Sequence, residues 1–178
     1  GFQYAEHDAF RELRKAISGG MAGRLRFIRH SWNRINFSQQ NRIWSWKTDR
    51  AQAGGVLSLI GAQFFYLLDY LAPKAVSLAA RLDDRCTRLF APKGAEPAED
   101  TAEITIEHRG GCRTQAMISN AQAQKTGHRW EIEGEKGTLI LDNPSSDYLR
   151  GFTLSFQAGK TGRTAILYKD TSGSGHNA

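Results

Sequence analysis

The sequence predicts an α+β fold: an open, mostly antiparallel mixed sheet of about seven or eight strands with helices on one face. Two observations predict it. Segments after Thr101 alternate apolar and polar residues with the two-residue period of half-buried strands. One strongly apolar helical stretch, AGGVLSLIGAQFFYLLDYL from Ala53 to Leu71, supplies the cover for such a sheet. The length agrees with both, since 178 residues form one core and bury about two thirds of the unfolded surface without disulfides.

Taken in order, Asp8 caps a helix from Ala9 to Ile17, with Phe10, Leu13 and Ile17 on one face and Arg11, Arg14 and Lys15 outside; Gly19 and Gly20 stop it. Leu25 to Asn36 reads as a long strand, with Phe27, Ile28, Trp32 and Ile35 set among Arg and His. Phe37 to Ala53 holds neither period and contains WSWK, so it reads as a long loop that delivers side chains. The helix from Val56 to Leu71 follows. Its Leu59, Gln63, Tyr66 and Tyr70 stand at i, i+4, i+7 and i+11 and share one stripe. The other faces carry Val56, Leu57, Ile60, Phe64, Leu67, Leu68 and Leu71, each contributing roughly 1.5–3 kcal/mol when fully buried, so most of the helix belongs inside.

Pro73 ends the apolar run, and Ala75 to Leu82 reads as a strand. Ala91 to Asp100 is turn-rich and polar and reads as an exposed loop. Ala102, Ile104 and Ile106 then point inward, and Gly110-Gly111 turns the chain into Arg113 to Ser119. His128 to Leu141 forms a hairpin around GEKG, with Trp130, Ile132, Leu139 and Leu141 inward. Phe152 to Phe156 and Thr164 to Tyr168 complete the strands.

Several function classes are disfavoured. Residues 1–50 hold ten Lys or Arg against four Asp or Glu, which accounts for the whole net charge of +6. That excess, with Trp32, Trp44 and Trp46 among it, reads as a solvated basic face or an anion- or sugar-binding cleft rather than a nucleic-acid surface. The apolar run from Val56 is shorter than the roughly 20 residues a bilayer requires and contains Gln63 and Asp69, so a cytoplasmic protein with no membrane partner is expected. Cys86 and Cys112 lack zinc-like spacing and read as free thiols of a reducing compartment. His7, His30, His108, His128 and His176 show no ligand pattern and read as ordinary surface or satisfied histidines, so no metal is expected. The tail Gly173 to Ala178 satisfies GxGxxA, but no helix can follow it.

The central helix resembles the signature of the C-terminal domain of the glucose-fructose oxidoreductase / inositol dehydrogenase (Gfo/Idh/MocA) family, approximately GGGxLxDxGxHxxDxxxWL. Ala53, Gly54, Gly55, Leu57, Gly61 and Leu71 fall in register with it. The family's first Asp falls on Leu59, its His on Gln63, its second Asp on Tyr66 and its Trp on Tyr70. The frame matches, and the four stripe residues are the ones replaced. A short helix followed by GxxGRLRFI resembles the opening of the same domain, and HRWEIEGEKGTL resembles the family's R-x-E-I-x-G-T-E-G-T-L.

The resemblance implies that residues 2–178 are one substrate-binding and oligomerisation domain, excised from a longer two-domain protein whose nucleotide-binding half holds NAD(P). The whole protein would be an NAD(P)-dependent oxidoreductase acting on a sugar, polyol or related hydroxy compound; this domain alone would be inactive and would hold no cofactor. In the family a His oriented by Asp takes the hydroxyl proton. Gln63, at the His position, cannot accept that proton, and a phenol such as Tyr66, of ordinary pKa about 10, is a poor base at neutral pH. Gln63 and Tyr66 are nonetheless the residues at the catalytic positions. Trp44, Trp46 and Lys47 are candidate substrate contacts, two rings for the C–H faces of a sugar and an ammonium for hydroxyls or a carboxylate, or else the tryptophans pin the loop; Tyr70 completes the set. The alternative is a catalytically silent relative that binds sugar or nucleotide to sense or regulate. A sheet covered on one side leaves a face to bury, which predicts a homo-oligomer through residues such as Arg113, Gln115 and Met117.

Overall fold

Period-two alternation yields eight strands among the described residues, which are 3–121, 127–145 and 147–170 of the computed structural model. They are β1 (Leu25–Asn33), β2 (Ala75–Asp83), β3 (Thr101–His108), β4 (Arg113–Ser119), β5 (Gly127–Gly134), β6 (Gly137–Asn143), β7 (Thr153–Ala158) and β8 (Thr164–Lys169). The strands form one open sheet in the order β2-β3-β4-β1-β5-β6-β7-β8. Only β1 and β4 run parallel; the other neighbours are antiparallel. The predicted mixed, mostly antiparallel α+β sheet is therefore the fold observed.

Register assigns every strand side chain to a face. Ile28, His30 and Trp32 of β1 stand opposite Ile132, Trp130 and His128 of β5, and all six are buried. Leu139 and Leu141 of β6 and Ile104, Ile106 and Ile118 of β3 and β4 extend the same inner layer. The alternate residues form the outer face, where Arg129 pairs with Glu131 at 2.8 Å and with Asp142 at 3.3 Å, and Arg113 pairs with Glu107 at 2.6 Å. Such partly solvated pairs contribute about 0–1 kcal/mol each.

Helices cover the inner face. Helix α1 (Asp8–Ser18) buries Ala9, Phe10, Leu13 and Ala16 and packs over β6, β7 and β8. Its cap differs from expectation: His7 is the N-cap, its Nδ1 accepting from the Ala9 amide at 3.1 Å, and Asp8 is the first helical residue. The predicted structureless loop is also corrected. Asn36 accepts from the Gln39 amide at 2.8 Å and so starts a short helix, α2 (Phe37–Asn41), and 3-10 turns follow at Trp46–Thr48 and Arg50–Gln52. Local side-chain caps supply there what an apolar period does not.

The central helix begins with one π turn, Leu57–Gly61, and continues as α3 (Ala62–Leu71). Phe64, Leu67, Leu68 and Leu71 are buried, whereas Phe65 and Tyr66 are 37% and 41% exposed, so less of it is inside than its composition suggests. Arg50–Leu71, 22 residues, is long and apolar enough to cross a membrane on length and composition alone, which corrects the estimate made from Val56 onward. Left-handed Ala53 (φ 56°) and positive-φ Gly55 (φ 107°) nevertheless break that stretch, and its apolar side chains lie on the sheet. After β2 comes α4 (Arg85–Arg88), a turn absent from the sequence reading. The turn-rich segment before β3 is exposed at its tip, but Ala98 and Asp100 are buried. Asp100 is drawn in because its Oδ2 accepts from the Cys86 and Thr87 amides at 2.8 and 3.0 Å and its Oδ1 accepts from Thr101 Oγ1 at 2.9 Å. The GxGxxA tail lies outside the described residues.

Candidate functional site

The site is built where the WSWK segment meets the start of the central helix. Two glycines permit the meeting. The Gly54 amide donates to Asp49 O and the Gly55 amide to Lys47 O, both at 2.9 Å. A Cβ on Gly54 would lie 2.5 Å from Trp46 O and 2.7 Å from the Lys47 carbonyl carbon, so no larger residue lets the two backbones approach this closely. At Gly55 a Cβ would strike the Glu99 carboxylate at 2.3 Å. That carboxylate accepts from the Leu57 amide at 3.1 Å, and Glu99 O accepts from the Val56 amide at 2.9 Å, so a residue from before β3 caps the helix.

The WSWK turn is pinned from below. Thr48 is buried; its Oγ1 donates to Ser45 O at 2.9 Å and accepts from the Ser45 amide at 3.0 Å. Ser45 Oγ in turn lies 3.1 Å from Ser38 Oγ on α2. These small hydroxyl residues hold the segment, and Trp46 is left 52% exposed with Lys47 Nζ 5.7 Å from its ring centroid. Trp44 is half-buried beside them in sequence.

Gln63 lies eight residues beyond Gly55, past the π turn. It is half-buried, with its Oε1 out of solvent contact. Tyr66 is exposed on the following turn, and Tyr70 is half-buried at the far end, where the Arg14 guanidinium of α1 stands 5.2 Å from its ring. The structure therefore brings Trp46 and Lys47 to the helix start and sets Tyr70 against α1, with Gln63 between them. Two cavities lie elsewhere. One, of about 580 Å3, opens on the outer face beside Arg29, Arg81, Glu103 and Gln115, and one of about 630 Å3 beside Cys86, Leu89 and Asp100. No group of three or more potential metal ligands occurs among the described residues. Cys86 is exposed and Cys112 buried, both as free thiols.

Behind the helix lies a feature the sequence reading missed. His30 and His128, expected to be ordinary histidines, are fully inside an aromatic stack. Phe64 of α3 stacks on His30 at 4.8 Å, Trp130 lies 4.1 Å from His30, and Trp130 Nε1 donates to His128 Nε2 at 2.8 Å. His30 Nδ1 is 3.1 Å from Arg129 O, while His30 Nε2 and His128 Nδ1 find no hydrogen-bond partner among the described residues. Burial pushes the His30 pKa down to about 3, against a smaller upward pull from the Arg129 carbonyl. It also pushes His128 well below the usual range, helped by His30 and Arg34. The signal was present: His30 alternates with Ile28 and Trp32, and His128 with Trp130 and Ile132.

The open sheet covered on one face, with a glycine pair leading into its central helix, is the architecture of a known family of domains. The family model described as "Oxidoreductase family, C-terminal alpha/beta domain" matches residues 14–167. This chain belongs to the Gfo/Idh/MocA oxidoreductases, as their C-terminal domain. An uncharacterized oxidoreductase of Synechocystis sp. is 30% identical over 159 residues, which cover 86% of this chain and 43% of that protein. The chain thus spans less than half the length of that relative. Among solved structures, an oxidoreductase domain protein from Kribbella flavida shares the fold at a TM-score of 0.76 and 22% identity, over 94% of this chain and 47% of its own. An inositol dehydrogenase homolog from Azotobacter vinelandii, complexed with NAD+, does so at a TM-score of 0.74 and 21% identity, over 94% of this chain and 42% of its own.

Proposed function

We propose that this domain is the substrate-binding and oligomerisation part of an NAD(P)-dependent oxidoreductase acting on a sugar, polyol or related hydroxy compound. The carrying observation is the close union of the Trp46–Lys47 turn with the start of the helix that bears Gln63 at the family's His position. Exposed Trp46 offers a ring for C–H faces, and Lys47 and Gln63 offer donors for hydroxyls. In this reading Trp44 and Tyr66 add to the substrate contacts, and Tyr70 is held at the helix end by Arg14. Among the described residues no strand leads through a glycine-rich turn into a helix, and in this reading the dinucleotide is held by residues outside them.

An amide at position 63 takes up no proton, and Leu59 supplies no orienting carboxylate. This favours, as a second reading, a binding relative that is catalytically silent. The uncovered outer face around Arg113, Gln115 and Met117 is the proposed homomeric contact. Titration of the protein with myo-inositol and with glucose, followed by NMR of the tryptophan indoles, tests the site. Shifts at Trp46 that vanish in Lys47→Ala are expected; shifts confined to residues on the sheet edges would overturn it. Turnover of NAD(P)+ by the whole protein with either compound separates the enzyme from the silent relative.

A further inference from the structure

Four successive amides at the entry to the central helix are held from outside it. Gly54 and Gly55 donate to Asp49 O and Lys47 O, and Val56 donates to Glu99 O, each at 2.9 Å. The fourth, Leu57, donates to Glu99 Oε1 at 3.1 Å and is the one of the four received by a side chain. Leu57 also opens the π turn, and its carbonyl accepts from the Ala62 amide. Leu57 is thus gripped at its amide by Glu99 and at its carbonyl by the residue next to Gln63. Glu99 itself is delivered from a fixed strap: on one side of it the Ala98 amide donates to Thr48 O at 2.9 Å, and on the other the Asp100 amide donates to Asp83 O at 2.8 Å. The strap therefore ties the WSWK turn, the end of β2 and the helix start together.

We propose that Glu99 is a positioning residue for the candidate site: its carboxylate fixes the direction in which the π turn releases the helix, and so sets where Gln63 stands relative to Trp46 and Lys47. This rests on the reading of Gln63 as a substrate contact. Three of the four outside contacts use backbone carbonyls, which any residue at those positions supplies. The Glu99 carboxylate is the one that a substitution removes. Its charge suits the place, because the first amides of a helix carry partial positive charge. A π turn is an α-helix with one residue inserted, and its hydrogen bonds compete with the ordinary four-residue pattern. A hold on its first amide selects between the two. When that hold is lost, the turn is free to rewind, and the residues that follow it are aimed elsewhere.

NMR of the isotope-labelled chain tests this without ligand. Glu99→Ala should shift the side-chain amide signals of Gln63 while the circular dichroism spectrum stays unchanged, and Glu99→Gln, which keeps an acceptor oxygen, should restore them. Glu99→Asp, shorter by one methylene, should shift them the same way to a smaller degree, and it serves where the Ala variant fails to fold. Asp170→Ala is the control for lost stability, since that carboxylate accepts from the Gly151 and Phe152 amides at 2.7 and 2.9 Å beside β7 and β8; it should leave Gln63 unmoved. Titration with myo-inositol reads the consequence: Kd should rise about tenfold in Glu99→Ala and hold steady in Asp170→Ala. Gln63 signals that stay put in both Glu99→Ala and Glu99→Asp, move as far in Asp170→Ala, or are not restored in Glu99→Gln overturn the proposal, as does an unchanged Kd in Glu99→Ala. A parent chain that binds no myo-inositol while Gln63 still follows Glu99 overturns the reading of the site alone and leaves the positioning of the helix standing.

Discussion

The indole of Trp32 lies flat on the imidazole of His128, with ring centroids 3.9 Å apart and planes 9° from parallel. His30 meets the same imidazole edge-on at 5.3 Å, and Tyr4 and Phe152 close around it at 5.4 and 5.7 Å. Both imidazoles are neutral in this setting, because a charged ring would lose its hydration to aromatic faces.

That neutrality sets a pH dependence. The folded-state pKa of His30 is about 3 and that of His128 is also lowered, against about 6.5 for unfolded histidine. Below 6.5 the unfolded chain binds protons that the folded chain refuses. Stability is therefore full above pH 6.5 and falls as the pH drops toward 3, by on the order of a few kcal/mol. Urea unfolding across that range should show the decline, and His30→Leu should flatten part of it. An acid slope identical in the variant and the parent would contradict this.

Backbone approach at the glycine pair makes Gly54→Ala costly. Its Cβ would overlap Trp46 O, and a loss of about 2 kcal/mol, roughly 4–8 °C in Tm at this chain length, is expected. Ala53 holds φ 56° without a glycine's freedom, so Ala53→Gly should leave stability unchanged or raise it by up to about 1 kcal/mol. Thermal scans should show a lowered Tm for Gly54→Ala alone; equal losses in the two variants would refute the account.

Asp100 joins β3, α4 and α2 through one carboxylate. Thr87, which receives a hydrogen bond from Gln39 Nε2 at 2.7 Å, sits against it. Replacing Asp100 by Ala strands the Cys86 and Thr87 amides and should cost about 2–4 kcal/mol in denaturant unfolding. A loss within error of zero would mean that water replaces the carboxylate freely.

Chemistry at position 63 is testable in the whole protein. Gln63→His supplies a titratable ring without an orienting carboxylate, and little dehydrogenase activity should follow; Leu59→Asp with Gln63→His should give more, by about 10²-fold or greater. Full activity from His alone would show the carboxylate to be dispensable. Tyr66→Phe should leave a silent relative unaffected.

Most strands were legible because alternation and register are the same fact read twice: Trp130 and Ile132 point inward in the sequence pattern and are buried in the sheet. The glycine pair and its helix were legible as well, because Gly54 and Gly55 sit where only a bare backbone fits. What stayed hidden depends on distant partners. Nothing local marks Glu99 as the cap of a helix that begins more than forty residues earlier, or Asp100 as a buried carboxylate within a turn-rich run. The histidines were misjudged by residue type, since their neighbours on the strand already placed them inside. For the site, Gln63, Tyr66 and Tyr70 were readable as one helical spacing, but the π turn that holds Leu59 was not, and Tyr70's engagement by Arg14 needed the two helices side by side.

The π turn at Leu57–Gly61 gives the central helix a gear change. Each residue there advances the winding less than in an α-helix, so the turn amounts to one residue inserted into an otherwise regular cylinder. Everything beyond it, from Gln63 to Tyr70, faces where it does because of that inserted residue. Removing one residue from the turn would leave a better helix and a misaimed one, swung by about 100°. Phe64 would leave its place on His30, and the polar stripe would rotate away from its present heading. Insertions and deletions in this turn are thus far less neutral than point changes, and the spacing between Gly55 and Gln63 is a structural dimension of the domain.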